Sequence, residues 1–130
     1  MRILLAEDNA DNRDMLSRRL ARRGFDVSLA VDGAEAVRLA RAQKPDLILM
    51  DISMPVMSGL EAIAAIRADA DIAATPIIVL TAHAMADDRD MCLRAGADDF
   101  ATKPIDFTAL LAGIARWAGR GVAGSAGAGQ

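Results

Sequence analysis

Four places in the sequence hold residues able to do chemistry: Glu7-Asp8-Asn9, Asp51, Thr81-Ala82-His83 and Thr102-Lys103-Pro104. Each ends or follows a run of apolar residues, so each rides on the end of a strand built to be buried. An acid is costly in such a place unless something answers its charge. If the strands ending near Ala6 and Met50 are neighbours, Glu7, Asp8 and Asp51 meet. Two carboxylates about 4 Å apart repel by roughly 4 kcal/mol at an effective dielectric of about 20. Lys103 offsets one charge. A hard divalent cation answers the rest. Mg²⁺ suits the donors because it takes oxygen ligands, keeps waters and shares its shell with phosphate.

Asp51 can do more than bind metal. A carboxylate can attack phosphorus and form an aspartyl-phosphate. The metal then neutralises charge on the incoming group, Lys103 pairs with one of its oxygens and the Thr81 hydroxyl donates to another. Positioning and charge stabilisation are most of what phosphoryl transfer requires.

The elements that must carry these residues alternate along the chain. Apolar runs at 2–6, 26–30, 46–50, 77–81 and 98–101 read as strands, the last being the most polar. Amphipathic stretches at 9–23, 33–43, 58–68 and 84–95 read as helices, with Gly24 and Gly96 closing two of them. Asp106 reads as the N-cap of a last helix with its stripe on Leu110, Leu111, Ile114 and Trp117. Five β-α units without an internal linker predict a parallel sheet with helices on both faces. Ligands in such sheets bind beyond the carboxyl ends of the strands, where all four chemical places fall.

The 130 residues suit one domain, expected over 1–117. Residues 118–130 are rich in glycine and alanine and are expected to form a flexible tail. A net charge of −3 gives no basic footprint for nucleic acid, so no direct DNA binding is expected. The single cysteine, Cys92, excludes an internal disulfide and reads as a small buried residue. The apolar runs are too short for a bilayer and no signal peptide is visible, so a cytoplasmic location is expected.

Ile3-Leu4-Leu5-Ala6-Glu7-Asp8-Asn9, then DLILMDISMPVMSG, then PIIVLTAHA, then Lys103-Pro104 occur in the order and spacing of one family. Over about residues 1–117 the chain resembles a receiver domain of a bacterial two-component response regulator, of the stand-alone or hybrid-kinase type. The resemblance implies a flavodoxin-like (βα)5 doubly wound fold with strand order 2-1-3-4-5. It implies Asp51 as phosphoacceptor, with Glu7, Asp8, Asp51 and the Ser53 carbonyl around Mg²⁺. Thr81 would be the switch hydroxyl, Phe100 the switch aromatic and Lys103 the phosphate contact, with a cis bond to Pro104. The resemblance also implies that Ser53 and His83 tune access of the attacking water.

The same resemblance implies partners and a mechanism. A histidine kinase or histidine phosphotransfer protein would donate the phosphoryl group, docking near Asn12, Met15 and Leu16. Phosphorylation would bias a surface made of helix four, strand five and helix five. That surface would signal to a downstream protein, unknown from sequence, or join two copies of the chain. Such a protein catalyses only its own phosphorylation and dephosphorylation. Two alternatives use related features. A phosphatase of the haloacid dehalogenase kind also has an aspartate nucleophile at a strand end, but wants a second acid where Ser53 stands. A flavodoxin-like cofactor binder wants a Ser/Thr/Gly phosphate loop where Glu7-Asp8-Asn9 stands.

Overall fold

The computed structural model describes residues 1–52, Met54, residues 56–82 and residues 86–125, with backbone alone at 86–88 and 118–125. Five strands and five helices alternate: β1 (Arg2–Ala6), α1 (Ala10–Arg22), β2 (Asp26–Ala30), α2 (Gly33–Gln43), β3 (Leu47–Asp51), α3 (Gly59–Ala68), β4 (Ile77–Thr81), α4 (Ala86–Ala95), β5 (Asp99–Thr102) and α5 (Phe107–Ser125). The strands form one parallel sheet in the order β2-β1-β3-β4-β5. This is the doubly wound arrangement expected from the alternation.

Period-two alternation along the strands divides the core between two faces. Leu4, Ala6, Ile48, Met50, Ile77 and Val79 pack with Val37, Ala40, Ile63, Ile66 and Cys92, so α2, α3 and α4 cover one face. Ile3, Leu5, Leu47, Leu49, Ile78 and Leu80 pack with Leu16, Leu20, Leu110 and Ile114, so α1 and α5 cover the other. β3 and β4 are buried at every position, which is why their sequences are continuous apolar runs.

Caps fix where helices begin. Asn9, Asp32 and Ser58 each accept a backbone N–H from three residues on, and Ser58 with Glu61 completes a reciprocal box. Asp106 Oδ1 likewise accepts from Ala109 N–H at 3.2 Å, as its N-cap reading required. Gly24, at φ 89°, ends α1 by donating to Ala21 O at 3.0 Å, and Phe25 N–H reaches back to Leu20 O at 3.3 Å.

Several boundaries differ from the sequence reading, α1 and α3 by the residues that cap them. β3 spans 47–51 rather than 46–50, because Asp46 lends its side chain to Arg2 N–H at 2.7 Å while Asp51 pairs in register with Leu80. β5 spans 99–102 rather than 98–101, because Asp98 turns its carboxylate to Ile77 N–H at 2.9 Å. α5 continues to Ser125, past the boundary expected at 117. The described part of α4 starts at Ala86; Ala84, expected as its first residue, lies outside the described residues.

Candidate phosphoryl-transfer site

The strand order reverses between β1 and β3, because α1 leaves β1 on one face and α2 returns on the other. The crevice this creates opens at the carboxyl ends of both strands. Glu7 follows β1, and its N–H donates to Ala30 O at 3.0 Å, which keeps the residue in line with the sheet. Asp51 closes β3 and is 3% exposed, while Glu7 is fully buried. Asp8, next in the loop, is exposed. One oxygen from each of Glu7, Asp8 and Asp51 lies within 4.8 Å of the others.

Lys103 reaches this cluster from the end of β5. Its Nζ lies 3.0 Å from Glu7 Oε1 and 3.2 Å from Asp51 Oδ2. Its backbone N–H donates to Thr81 O at 2.7 Å, and the Lys103-Pro104 bond is cis. Thr81 ends β4 one position beyond the partner of Asp51 and is 4% exposed.

One lysine is too little charge for this nest. Burial, then the hydrogen bond and negative charge of Glu7, push Asp51 up to about 7. Burial works against ionising Glu7 too, yet its hydrogen bonds with Asp51 and Asn9 N–H and the charge of Lys103 hold it below the ordinary carboxylate range. Burial alone would lower Lys103, but Glu7 and Asp51 drive it upward. Without a metal the two acids therefore hold one proton between them until Asp51 ionises. Glu7 Oε1 is buried and, although in ion-pair range of Lys103, receives no hydrogen bond of good geometry. A buried, under-satisfied oxygen beside two further carboxylates is the donor set that a hard divalent cation takes.

The family model of the response regulator receiver domain matches residues 3–115. The chain belongs to that family. Its receiver sequence is 44% identical to PrrA, a transcriptional regulatory protein of Mycobacterium tuberculosis, over 87% of this chain. The chain spans 48% of PrrA, about half of that relative. The receiver domain of sensor histidine kinase PA1611 from Pseudomonas aeruginosa is 42% identical and superposes with a TM-score of 0.85, covering 91% of this chain and 97% of that one. That structure holds a magnesium ion in its active site cleft. A chain in the co-crystal of the Saccharomyces cerevisiae histidine phosphotransfer protein Ypd1 with the Ssk1 receiver is 31% identical, at a TM-score of 0.85 over 91% of this chain and 88% of that one.

The receiver brings Glu7, Asp8, Asp51 and Lys103 together as the sequence anticipated. Phe100 lies apart from them. It pairs with Val79 two positions before Thr81, so Phe100 and Thr81 share the sheet face that α4 covers. The Arg89 guanidinium sits 4.5 Å from the Phe100 ring centroid. Ser53 and His83 lie outside the described residues.

Two supports of the receiver site escape a sequence reading. Arg13 Nη1 donates to Glu7 O at 2.9 Å and to Asp8 O at 3.2 Å, bracing the acidic loop from α1. Its clue is its spacing, one to two turns after the acids. Gly59, the first residue of α3, lies against the end of β3: a Cβ there would fall 2.3 Å from Asp51 O and 2.7 Å from Ile52 Cα. Its N–H donates to Ile52 O at 2.8 Å. Among the described residues no helix is long and apolar enough to cross a membrane.

Proposed function

We propose that this receiver accepts a phosphoryl group on Asp51 from the phosphohistidine of a histidine kinase or a histidine phosphotransfer protein. One observation carries the reading. A buried carboxylate at the end of β3 stands between two acids able to take a metal and a lysine able to take a phosphate oxygen. Glu7, Asp8, Asp51 and the Ser53 carbonyl would hold Mg²⁺, which supplies charge neutralisation for the incoming group. The relative with magnesium in its cleft and the phosphotransfer-protein co-crystal support the metal and the donor class.

The chain's own residues do the rest. Asp51 Oδ attacks phosphorus, the bond to the donor imidazole nitrogen breaks, and that nitrogen keeps the electron pair. Lys103 turns from the carboxylates to a phosphoryl oxygen, and Thr81 donates to another. A phosphoryl group brings close to two negative charges. Thr81 moves to hold it, and Phe100, on the same face, turns into the space left. Together they bias the surface of α4, β5 and α5. A shift from 1:99 to 99:1 would need about 5.5 kcal/mol of differential interaction.

That surface would signal to a downstream protein or join two copies of the chain, in the cytoplasm, without contacting DNA itself. The domain would close near Trp117, the last side chain described on the sheet, with 118–130 as its tail. Incubation with Mg²⁺ and acetyl phosphate tests the reading by intact mass. Wild type should gain one phosphoryl group and Asp51→Asn none; equal gain in both would place the acceptor elsewhere.

A further inference from the structure

Three acids make the site, and the sheet holds two of them. Glu7 is tied to β2 through its N–H, which donates to Ala30 O at 3.0 Å, and Asp51 pairs in register with Leu80. Asp8 lies two residues past the end of β1, is exposed and joins no ion pair among the described residues. Yet one of its oxygens lies within 4.8 Å of theirs. Something other than a strand must aim it.

Arg13 does this through the backbone. Its Nη1 donates to Glu7 O at 2.9 Å and to Asp8 O at 3.2 Å. Those carbonyls belong to the two peptide planes that flank the Asp8 Cα. Each plane is rigid, so their relative orientation is set by the φ and ψ of Asp8 alone. One nitrogen holding both carbonyls restrains both dihedrals, and with them the direction of the Asp8 Cα–Cβ bond. Charge does not explain why an arginine stands here. Arg13 pairs with no carboxylate among the described residues and is half-buried. It lies three residues after Ala10, where α1 begins and where the helix dipole favours anions.

We propose that Arg13 is a positioning residue for the divalent cation: by restraining the backbone on both sides of Asp8, it keeps that carboxylate turned toward Glu7 and Asp51 before the ion arrives. The inference rests on the reading of Glu7, Asp8 and Asp51 as metal ligands. A loop already in its bound shape gives up less freedom on binding, so the ion is held more tightly. Electrostatics alone predicts the opposite sign. A guanidinium beside a cation site repels the ion, so removing it would tighten binding. The direction of the change separates the two.

Calorimetry of Mg²⁺ binding to the unphosphorylated full chain tests this with wild type, Arg13→Met, Arg13→Lys and Arg18→Met. Arg18 lies on the same helix but pairs with Asp14 at 3.1 Å, so its variant controls for the loss of a cation. Arg13→Met should weaken Mg²⁺ binding about tenfold, as loss of a group that supports a metal ligand does. Arg13→Lys keeps the charge without the planar fork and should be about threefold weaker than wild type. Arg18→Met should stay within about twofold of wild type. Labelling of Arg13→Met by acetyl phosphate should need correspondingly more Mg²⁺, while its rate at saturating Mg²⁺ stays within about twofold of wild type. A role in folding alone would not split the two in this way. An affinity of Arg13→Met within about twofold of wild type, or tighter, would overturn the proposal, as would a lower saturated rate at unchanged affinity. If Arg13→Met shows no cooperative urea transition, Arg13→Lys decides, and wild-type affinity in that variant would overturn the proposal. Failure of wild type to bind Mg²⁺ would remove the metal reading itself, and the proposal with it.

Discussion

Lys103 Nζ lies between two buried carboxylates, 3.0 Å from Glu7 Oε1 and 3.2 Å from Asp51 Oδ2. Both acids draw on this one cation, which pulls Asp51 downward and helps hold Glu7 ionised. Lys103→Met should therefore lower stability by about 2–4 kcal/mol at pH 8, where both acids are forced to ionise. At pH 5 to 6 the loss should be smaller, because Asp51 then carries a proton. Urea unfolding of the metal-free protein at both pH values checks this; an equal loss at each would contradict it.

Asp51 makes the metal-free fold sensitive to pH. Its folded value, about 7, stands above its ordinary 3.8, so the folded chain keeps a proton that the unfolded chain has released. Stability is then lost as pH rises through about 7. Glu7, held below its ordinary 4.5, acts in the opposite sense only at lower pH. Between about pH 5 and 8 the metal-free protein should become less stable. Saturating Mg²⁺ should flatten that slope. Denaturant midpoints across the range, with Mg²⁺ and with chelator, measure both, and a rising apo curve would refute the shared proton.

Gly59→Ala should disturb the site without touching a functional side chain. The new methyl would press on the backbone of Asp51 and Ile52, which the central sheet cannot yield. A loss of about 2–4 kcal/mol is expected, with slower labelling by acetyl phosphate. A cost under about 0.5 kcal/mol would mean that the close approach is not a constraint.

Asp99 joins β5 to the far part of α5. Its Oδ1 accepts Phe100 N–H at 2.8 Å and its Oδ2 accepts Trp117 Nε1–H at 2.8 Å. Trp117 is the chain's single tryptophan, so its emission reports on this link. Asp99→Ala should shift that emission and cost about 1–2 kcal/mol. Unchanged emission and stability would show that the link carries nothing.

The fold was legible because β1, β2 and β4 are bounded by charged residues or turns and filled with apolar ones. The site was legible because acids at strand ends must converge once the strands are parallel. The phosphatase and cofactor-binding alternatives needed residues that Ser53 and Glu7-Asp8-Asn9 do not supply, and the family match over 3–115 reaches all five strands. Other features were hidden for physical reasons. Arg13 is one of several arginines in a helix that reads as a solvated face, and only the fold turns it onto the acidic loop. Arg67 looked equally ordinary, yet it donates to Gly96 O, Ala73 O, Thr75 O and Asp98 Oδ2. Such contacts join elements distant in sequence, and no local pattern encodes them. The extension of α5 to Ser125 left no trace because a glycine- and alanine-rich segment has no apolar stripe to read.

The measurement that bears most directly on the central claim locates the acyl phosphate itself. Borohydride reduces an aspartyl-phosphate to homoserine, so protein treated with acetyl phosphate and then borohydride can be digested and mapped by mass. Homoserine at position 51, formed with Mg²⁺ and absent with chelator, is the expected result. Homoserine at position 8, the corresponding reduced glutamyl product at position 7, or a signal at 51 indifferent to chelator would contradict the account.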